Sequence, residues 1–159
     1  MGIGGETTEG LVKRISYETE ARNSEEGNIV FIGYGANDLA IKNGMQAVEP
    51  ERFKANITAA VQKAKQYAEG IYLISILPVA RKIDGVKVSS GKLRSSAEIL
   101  KYNQLLKEVA DENTLQYLDF YSGFADDKEI LLSRDGVHPN EKGYGIIAEM
   151  AIPVIEKYL

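Results

Sequence analysis

The sequence has no cysteine, no tryptophan and a single histidine among its 159 residues. The lack of cysteine excludes a disulfide scaffold, a cysteine nucleophile and every cysteine-ligated zinc or iron–sulfur site. A single histidine also excludes a histidine metal cluster, and we expect neither a metal nor a cofactor. A chain of this length buries roughly two thirds of the surface that its unfolded form exposes, so one domain over residues 1–159 needs no such crosslink.

An excess of basic residues is also missing, since 19 Lys and Arg stand against 23 Asp and Glu and the net charge is −4. Nucleic-acid binding depends on clustered Lys and Arg, so no nucleic-acid partner is expected. Apolar runs such as residues 71–77 fall far below the roughly 18 residues that a membrane span needs, so no membrane span is expected. We expect a cytoplasmic location for the sequence as it stands, and a secretion signal could have been lost with a missing N-terminal segment.

Helical and strand patterns alternate along the chain, without a repeat or a linker. The strands are predicted at residues 28–33, 71–77 and 115–120. The first helix is predicted to begin with a cap at Thr7 or Thr8 and to end before a polar break at residues 23–27, and the second to run from Pro50 to a stop at Gly70. A third helix is predicted to begin after a cap at Ser95 or Ser96, and a fourth to follow an irregular stretch at residues 121–139. The alternation predicts an α/β fold with a parallel sheet between helices, and ligands bind such sheets beyond the carboxyl ends of the strands.

Residues 33–38, Gly-Tyr-Gly-Ala-Asn-Asp, follow the first predicted strand directly. They are not a dinucleotide fingerprint, because Asp38 stands at the third glycine position and would repel a pyrophosphate. Two interpretations stay open. The segment is a glycine-rich turn in which Asn37 or Asp38 caps the next element, or the Asn37 amide donates to an oxyanion that forms in the crevice.

The only histidine, His138, lies in Asp-Gly-Val-His-Pro-Asn at residues 135–140, just before the last predicted helix. Asp135 can turn back to the Nδ1 atom of the ring and fix its tautomer, which leaves Nε2 as a general base. This is the orienting half of an Asp-His-nucleophile arrangement. The alternatives are a histidine without a chemical role and an Asp135 that caps the helix, although Asn140 could be that cap.

Two further segments have open interpretations. Residues 2–8, Gly-Ile-Gly-Gly-Glu-Thr-Thr, lead into a helix whose first backbone N–H groups could bind an anion, or they form a disordered terminus. The segment over residues 81–94 is rich in Lys and Arg. It could line a pocket for a polar substrate, or it is a solvated loop.

Taken together and in this order, the motifs resemble the SGNH hydrolases, also called GDSL-type esterases and lipases. Residues 2–8 resemble the glycine block of that family, residues 35–38 its Gly-x-Asn-Asp block, and residues 135–138 its Asp-x-x-His block. The helix with Tyr102 and Asn103 also resembles the family. The resemblance covers nearly the whole chain.

This resemblance implies a three-layer α/β/α, flavodoxin-like sandwich that hydrolyses an acyl ester or an acylated carbohydrate. The acyl and alcohol parts of the substrate are not identified by the motifs. By the same resemblance, the site residues are the catalytic pair His138 and Asp135, the oxyanion-hole donors Gly5 and Asn37, and the supporting residues Gly35 and Asp38.

The sequence departs from the family because it contains no Gly-Asp-Ser block, which carries the nucleophilic serine. It begins at the glycine block, so the first strand, the following helix and the second strand of the family are expected to be missing. Ser122 is the only serine at a plausible sheet end, and nothing like a nucleophile elbow surrounds it. Two explanations stay open: a truncated esterase that is inactive as it stands, or a ligand- or carbohydrate-binding module without catalysis.

The missing strand of the family would lie beside residues 28–33. Its absence would leave the edge Ile29 to Ile32 apolar, with no Lys or Pro to discourage pairing. We therefore expect a homodimer in which two copies pair this edge.

Overall fold

The computed structural model describes residues 2–24 and 27–159 of the chain. Two of the residues in the predicted polar break, 25 and 26, lie outside that part. In chain order, the helices and strands are α1 (Thr8–Glu20), β1 (Ile29–Ile32), β2 (Ile41–Lys42), β3 (Met45–Gln46), α2 (Pro50–Ala64), β4 (Gly70–Ile74), α3 (Ser96–Glu112), β5 (Gln116–Leu118), α4 (Phe120–Ala125), α5 (Lys128–Leu131) and α6 (Glu141–Ile155), with short 3₁₀ turns at Arg81–Ile83 and Glu156–Tyr158.

The centre of the fold is a parallel sheet of three strands in the order β1-β4-β5. Ile29 of β1 pairs with Gly70 of β4, and Tyr72 of β4 pairs with Gln116 of β5. The predicted α/β fold with a parallel sheet is therefore confirmed, and each strand forms where an apolar run predicts it. Gly70 begins β4 and does not end α2, which is already complete at Ala64.

Neighbouring residues of a strand point to opposite faces of the sheet, and helices cover both faces. Leu73 is fully buried in the main core, which also contains Phe53 of α2 and Leu106 of α3. On the other face, Tyr72 stacks on Phe31 at a ring distance of 5.2 Å and hydrogen-bonds to the hydroxyl of Tyr158, which follows α6. No helix in the described ranges is long and apolar enough to cross a membrane.

Three elements were not predicted. The hairpin β2–β3 turns at Asn43 and Gly44, which have φ angles of 54° and 79°. The stretch expected to be irregular holds the short helices α4 and α5. The side chain of Asp119 accepts a hydrogen bond from the backbone N–H of Ser122 at 3.1 Å and so begins α4.

Beyond the end of β4, a side chain takes over the hydrogen bonding of the sheet. The Asn103 amide accepts from the N–H of Ile76 at 2.7 Å and donates to its carbonyl at 2.9 Å. Ser75, the first residue after β4, still donates its N–H to Leu118 of β5 at 3.0 Å, and the two bonds from Asn103 fix the next residue, Ile76. The crevice at the carboxyl ends of β1 and β4 therefore has a fixed wall.

Candidate active site

Asp135 and His138 form the hydrogen bond that their spacing predicts. His138 Nδ1 lies 2.6 Å from Asp135 Oδ2, and 73% of the His138 side chain is exposed. The turn between them contains Gly136 in the left-handed region, at a φ of 74°. The Gly136 carbonyl accepts from the N–H of Ala80 at 2.9 Å, which ties this turn to the segment after β4.

The other oxygen of Asp135 is held by three donors. Oδ1 accepts from the backbone N–H groups of Val137 at 2.8 Å and His138 at 3.0 Å, and from the hydroxyl of Ser133 at 2.7 Å. Burial raises the pKa of Asp135, but the hydrogen bonds from His138, Val137 and Ser133 outweigh it and hold that pKa well below its usual range. The Asp135 carboxylate is therefore ionised at neutral pH and oriented towards the imidazole.

Asp135 does not cap the last helix. The side chain of Asn140 accepts from the N–H of Gly143 at 3.1 Å at the start of α6. Because Asn140 fills that position, the carboxylate of Asp135 is left for His138.

The Asn37 side chain is oriented by bonds on both ends of its amide. Its Oδ1 accepts from Lys92 Nζ at 3.1 Å and from Arg94 at 3.3 Å, and its Nδ2 donates to the Glu6 carbonyl at 3.1 Å. An amide NH₂ has two protons, so one remains to donate elsewhere. Within the described residues Asn37 does not cap a following helix; these bonds orient its amide, and its role as an oxyanion donor stays a prediction.

The glycine tract is joined to the rest of the site through Glu6. Its carboxylate accepts from Arg14 at 2.7 Å and from the hydroxyl of Tyr34, and the hydrogen bond from Arg14 lowers its pKa. Gly5, just before it, has a φ of 79°, and the N–H of Glu6 closes a turn on the carbonyl of Ile3. The part of the tract that the structure describes is therefore an anchored turn beside Asn37.

Asp38 and Gly35 support this loop from within the core. Asp38 is fully buried, and its Oδ1 accepts from the N–H of Thr8 at 2.9 Å and its hydroxyl at 2.6 Å. Burial raises the pKa of this carboxyl. Asp38 thus caps helix α1, which precedes it in the chain, and does not cap the element that follows it. The predicted cap from Thr7 is also wrong, because the side chain of Thr7 makes no capping bond.

Two pockets meet at His138. A polar pocket of about 440 Å³ brings together Gly5, Asn37, Asp135 and His138, with Ser89, Ser90, Lys92 and Arg94. An apolar pocket of about 310 Å³ is also lined by His138. Its lining includes Ile74, Leu77, Val79 and Pro139. Four predicted site residues therefore share one pocket, and their catalytic roles stay a prediction.

The serines do not supply a clear partner for His138. Ser122 lines a separate pocket, and its hydroxyl donates to Asp119 at 2.6 Å. Ser89 and Ser90 line the polar pocket, but neither hydroxyl makes a hydrogen bond to His138 among the residues described. Within those same ranges, no three Asp, Glu or His side chains lie together as a metal site.

Sequence reasoning did not assign Arg94 or Glu6 to this site. Arg94 Nε donates to the Ala36 carbonyl at 2.7 Å, so it holds the loop that carries Asn37. Only the basic character of the 81–94 segment pointed towards such a role. The only sequence signal for Glu6 is its position next to the glycines.

Comparison with known proteins adds a family to this geometry. The sequence pattern of the GDSL-like Lipase/Acylhydrolase family matches residues 1–146. A multidomain esterase from Ruminococcus flavefaciens is 37% identical over 68 residues, which are 41% of this chain and 8% of that protein. The chain thus spans a small part of the curated relative that it matches.

Solved structures resemble the whole fold. A GDSL-like lipase from Bacteroides thetaiotaomicron superimposes with a TM-score of 0.78 at 23% identity, over 100% of this chain and 75% of that one. An acetylxylan esterase from Geobacillus stearothermophilus gives a TM-score of 0.72 at 23% identity, over 96% of this chain and 68% of that one. At these identities the likeness shows a shared fold.

Proposed function

The chain belongs to the GDSL-like lipase/acylhydrolase family, and on that premise we propose that it provides the acid–base and oxyanion groups of an acyl-ester hydrolase. The observation that carries the proposal is the Asp135–His138 hydrogen bond of 2.6 Å in one pocket with Asn37 and Gly5. A charged orienting carboxylate, an exposed imidazole and two amide donors are the groups that acyl transfer needs besides its nucleophile.

Each group has a definite role in this proposal. Asp135 accepts a hydrogen bond from Nδ1–H of His138 and so keeps Nε2 free to take a proton from the nucleophile and return it to the leaving alcohol. The free N–H of Asn37 and the backbone N–H of Gly5 donate to the oxyanion of the tetrahedral intermediate. The apolar pocket takes the acyl group, and the polar pocket takes the alcohol part, which is a small alcohol or a carbohydrate.

The nucleophilic serine is proposed to come from a segment outside these residues. The sequence contains no Gly-Asp-Ser block, and no serine hydroxyl in residues 2–24 and 27–159 is bonded to His138. A base without its nucleophile can at best activate water, so the 159-residue chain alone is proposed to be inactive.

The test is hydrolysis of 4-nitrophenyl acetate by two proteins. One is the 159-residue chain, and the other is that chain preceded by the strand–helix–strand segment of a family member that carries Gly-Asp-Ser, here called the serine-complemented chain. We expect no hydrolysis above buffer from the first and hydrolysis from the second, measured as release of 4-nitrophenolate. In the second protein, replacing the added serine by alanine should abolish the reaction.

Hydrolysis by the 159-residue chain alone would contradict this proposal if it disappeared in Ser122→Ala, Ser89→Ala or Ser90→Ala. No hydrolysis by a folded serine-complemented chain would favour the second candidate, a binding module without catalysis. That candidate is supported by the formed pocket, in which no serine hydroxyl of the described residues is bonded to His138.

We also propose that two copies of the chain pair through β1. In the described sheet β1 has a partner on one side only, β4. A groove of about 340 Å³ runs along β1 against α1 and is lined by Ile29, Val30 and Phe31. The charged side chains of Arg14 and Glu18 on α1 and of Arg22, just beyond α1, also border it. Two antiparallel β1 strands would complete the hydrogen bonding of this edge.

Sedimentation velocity at micromolar concentration tests the pairing. We expect a dimer for the unaltered chain and a monomer for Ile29→Lys, because a lysine on an edge strand must lose its water to pair. Leu100→Lys is the matched control, since Leu100 is 51% exposed on α3, and it should remain a dimer. A monomeric unaltered chain would contradict the proposal.

A further inference from the structure

Two cations stand in the polar pocket beside the Asp135–His138 pair. Lys92 and Arg94 both line it, and both donate to the same atom, Asn37 Oδ1, at 3.1 Å and 3.3 Å. These bonds use one donor of the ammonium group and one of the guanidinium, and Arg94 Nε is bonded to Ala36. Each side chain therefore keeps N–H donors for another acceptor.

Across the described residues, no Asp or Glu oxygen forms an ion pair with Lys92 or Arg94, although six Lys or Arg ion pairs form elsewhere. Asp135 is the acidic residue on the pocket wall, and both of its oxygens are taken by hydrogen bonds from its own turn. Burial lowers the pKa of Arg94, and the charge of Asp135 offsets only part of that effect.

Further positive charge surrounds the same loop. The side chains of Lys42 and Lys87 both reach the outside of Gly91, where their Cε atoms lie 3.8 Å and 3.9 Å from the position that a Cβ would take. Burial, then the charge of Arg94 and that of Lys42, lower the pKa of Lys92. A chain with a net charge of −4 thus concentrates positive charge at one wall of this pocket, beside the single acidic residue Asp135 of its lining.

The charges of Lys92 and Arg94 repel each other, and a bound anion would turn this repulsion into a shared attraction. Partly buried like charges disfavour each other's charged forms, and an oxyanion that accepts from both removes that penalty while gaining charge-assisted hydrogen bonds. A neutral alcohol would leave the penalty in place. The chemistry of the pocket wall is therefore that of an anion site.

We infer that Lys92 and Arg94 bind a negatively charged group on the alcohol part of the ester substrate. The inference rests on the proposed function, in which the alcohol part occupies the polar pocket. The substrate class is then an acyl ester of an anionic alcohol, such as a sugar that carries a carboxylate, a sulfate or a phosphate. Lys92 and Arg94 would select this class over neutral esters.

Binding to the 159-residue chain tests this without hydrolysis. The probes are glucuronate, its uncharged counterpart glucose, sulfate and inorganic phosphate, titrated at constant ionic strength. The readout is the NMR signals of the Asn37 side-chain NH₂ and the His138 backbone N–H. We expect saturable shifts with glucuronate and none with glucose, and the order of affinity among the three anions identifies the charged group.

Three variants separate charge from structure. Lys92→Gln keeps a donor for Asn37 but loses the charge, and it should weaken glucuronate binding about tenfold, as expected for one charge-assisted hydrogen bond. Arg94→Gln should do the same, and if it unfolds, Lys92→Gln still decides the question. Lys101→Gln removes one charge from an exposed position on α3, and it should leave the affinity unchanged.

Equal shifts with glucose and glucuronate, no saturable shift at all, or the same loss in Lys101→Gln and Lys92→Gln would each overturn the inference. Its failure can be told apart from that of the proposed function. Hydrolysis by the serine-complemented chain without anion binding would contradict the proposed anion site alone. Anion binding without hydrolysis would contradict the hydrolase proposal and favour the binding module.

Discussion

His138→Ala is expected to lower the turnover of 4-nitrophenyl acetate by the serine-complemented chain about a millionfold. Without the imidazole, nothing takes the proton of the attacking serine or returns it to the leaving alcohol. The loss should be about as large as that from removing the serine itself, because the groups of a triad act as a unit. Turnover measured at saturating substrate gives the comparison.

A smaller loss is expected for Asp135→Asn, on the order of ten-thousandfold. The amide no longer fixes the proton on Nδ1, so the tautomer with a free Nε2 is no longer favoured. Glu149→Gln is the control, since Glu149 is exposed on α6 and lines neither pocket at His138, and its turnover should not change. Because 73% of the His138 side chain is exposed, His138→Ala should unfold at about the same temperature as the unaltered protein. Turnover that survives His138→Ala would remove this residue from the mechanism.

Local patterns predicted the parts of this molecule whose causes are local. The apolar run at residues 28–33 forms β1, and Pro50 begins α2 as a first-turn residue. The bond from Asp135 to His138 spans three residues, so spacing alone was enough to predict it. The hairpin at Asn43 and Gly44 also has a local signal, the Asn-Gly pair typical of such turns.

Contacts between distant parts of the chain could not be predicted in this way. Asp38 caps α1 through Thr8, which lies 30 residues before it, and Arg94 reaches the amide of Asn37 across 57 residues. Nothing in the sequence near either residue indicates its partner. The polar wall of the pocket depends on these pairings. The sequence therefore predicted the candidate pair and donors, but not the cations that surround them.

Gly35 connects the packing of the core to the position of Asn37. It has a φ of 128°, in the region that favours glycine, and it lies directly against the core. A Cβ at this position would lie 2.8 Å from Ile76 Cγ1 and 3.3 Å from Phe53 Cζ. Phe53 is fully buried against the ring of Tyr102, so it has little room to move away.

Gly35→Ala is therefore expected to lower the free energy of unfolding by ~2–4 kcal/mol, from backbone strain and overpacking together. The matched control is Gly145→Ala on α6, where a Cβ meets nothing within 4 Å and the same change should stabilise the protein by ~0.5–1 kcal/mol. Urea unfolding of the two variants measures both values.

The strain in Gly35→Ala is relieved most easily by moving the loop outwards, which carries Asn37 away from His138. The serine-complemented Gly35→Ala protein should accordingly lose turnover at temperatures where it is still folded, while Gly145→Ala keeps it. Equal stability of Gly35→Ala and the unaltered chain would mean that the loop does not depend on this contact.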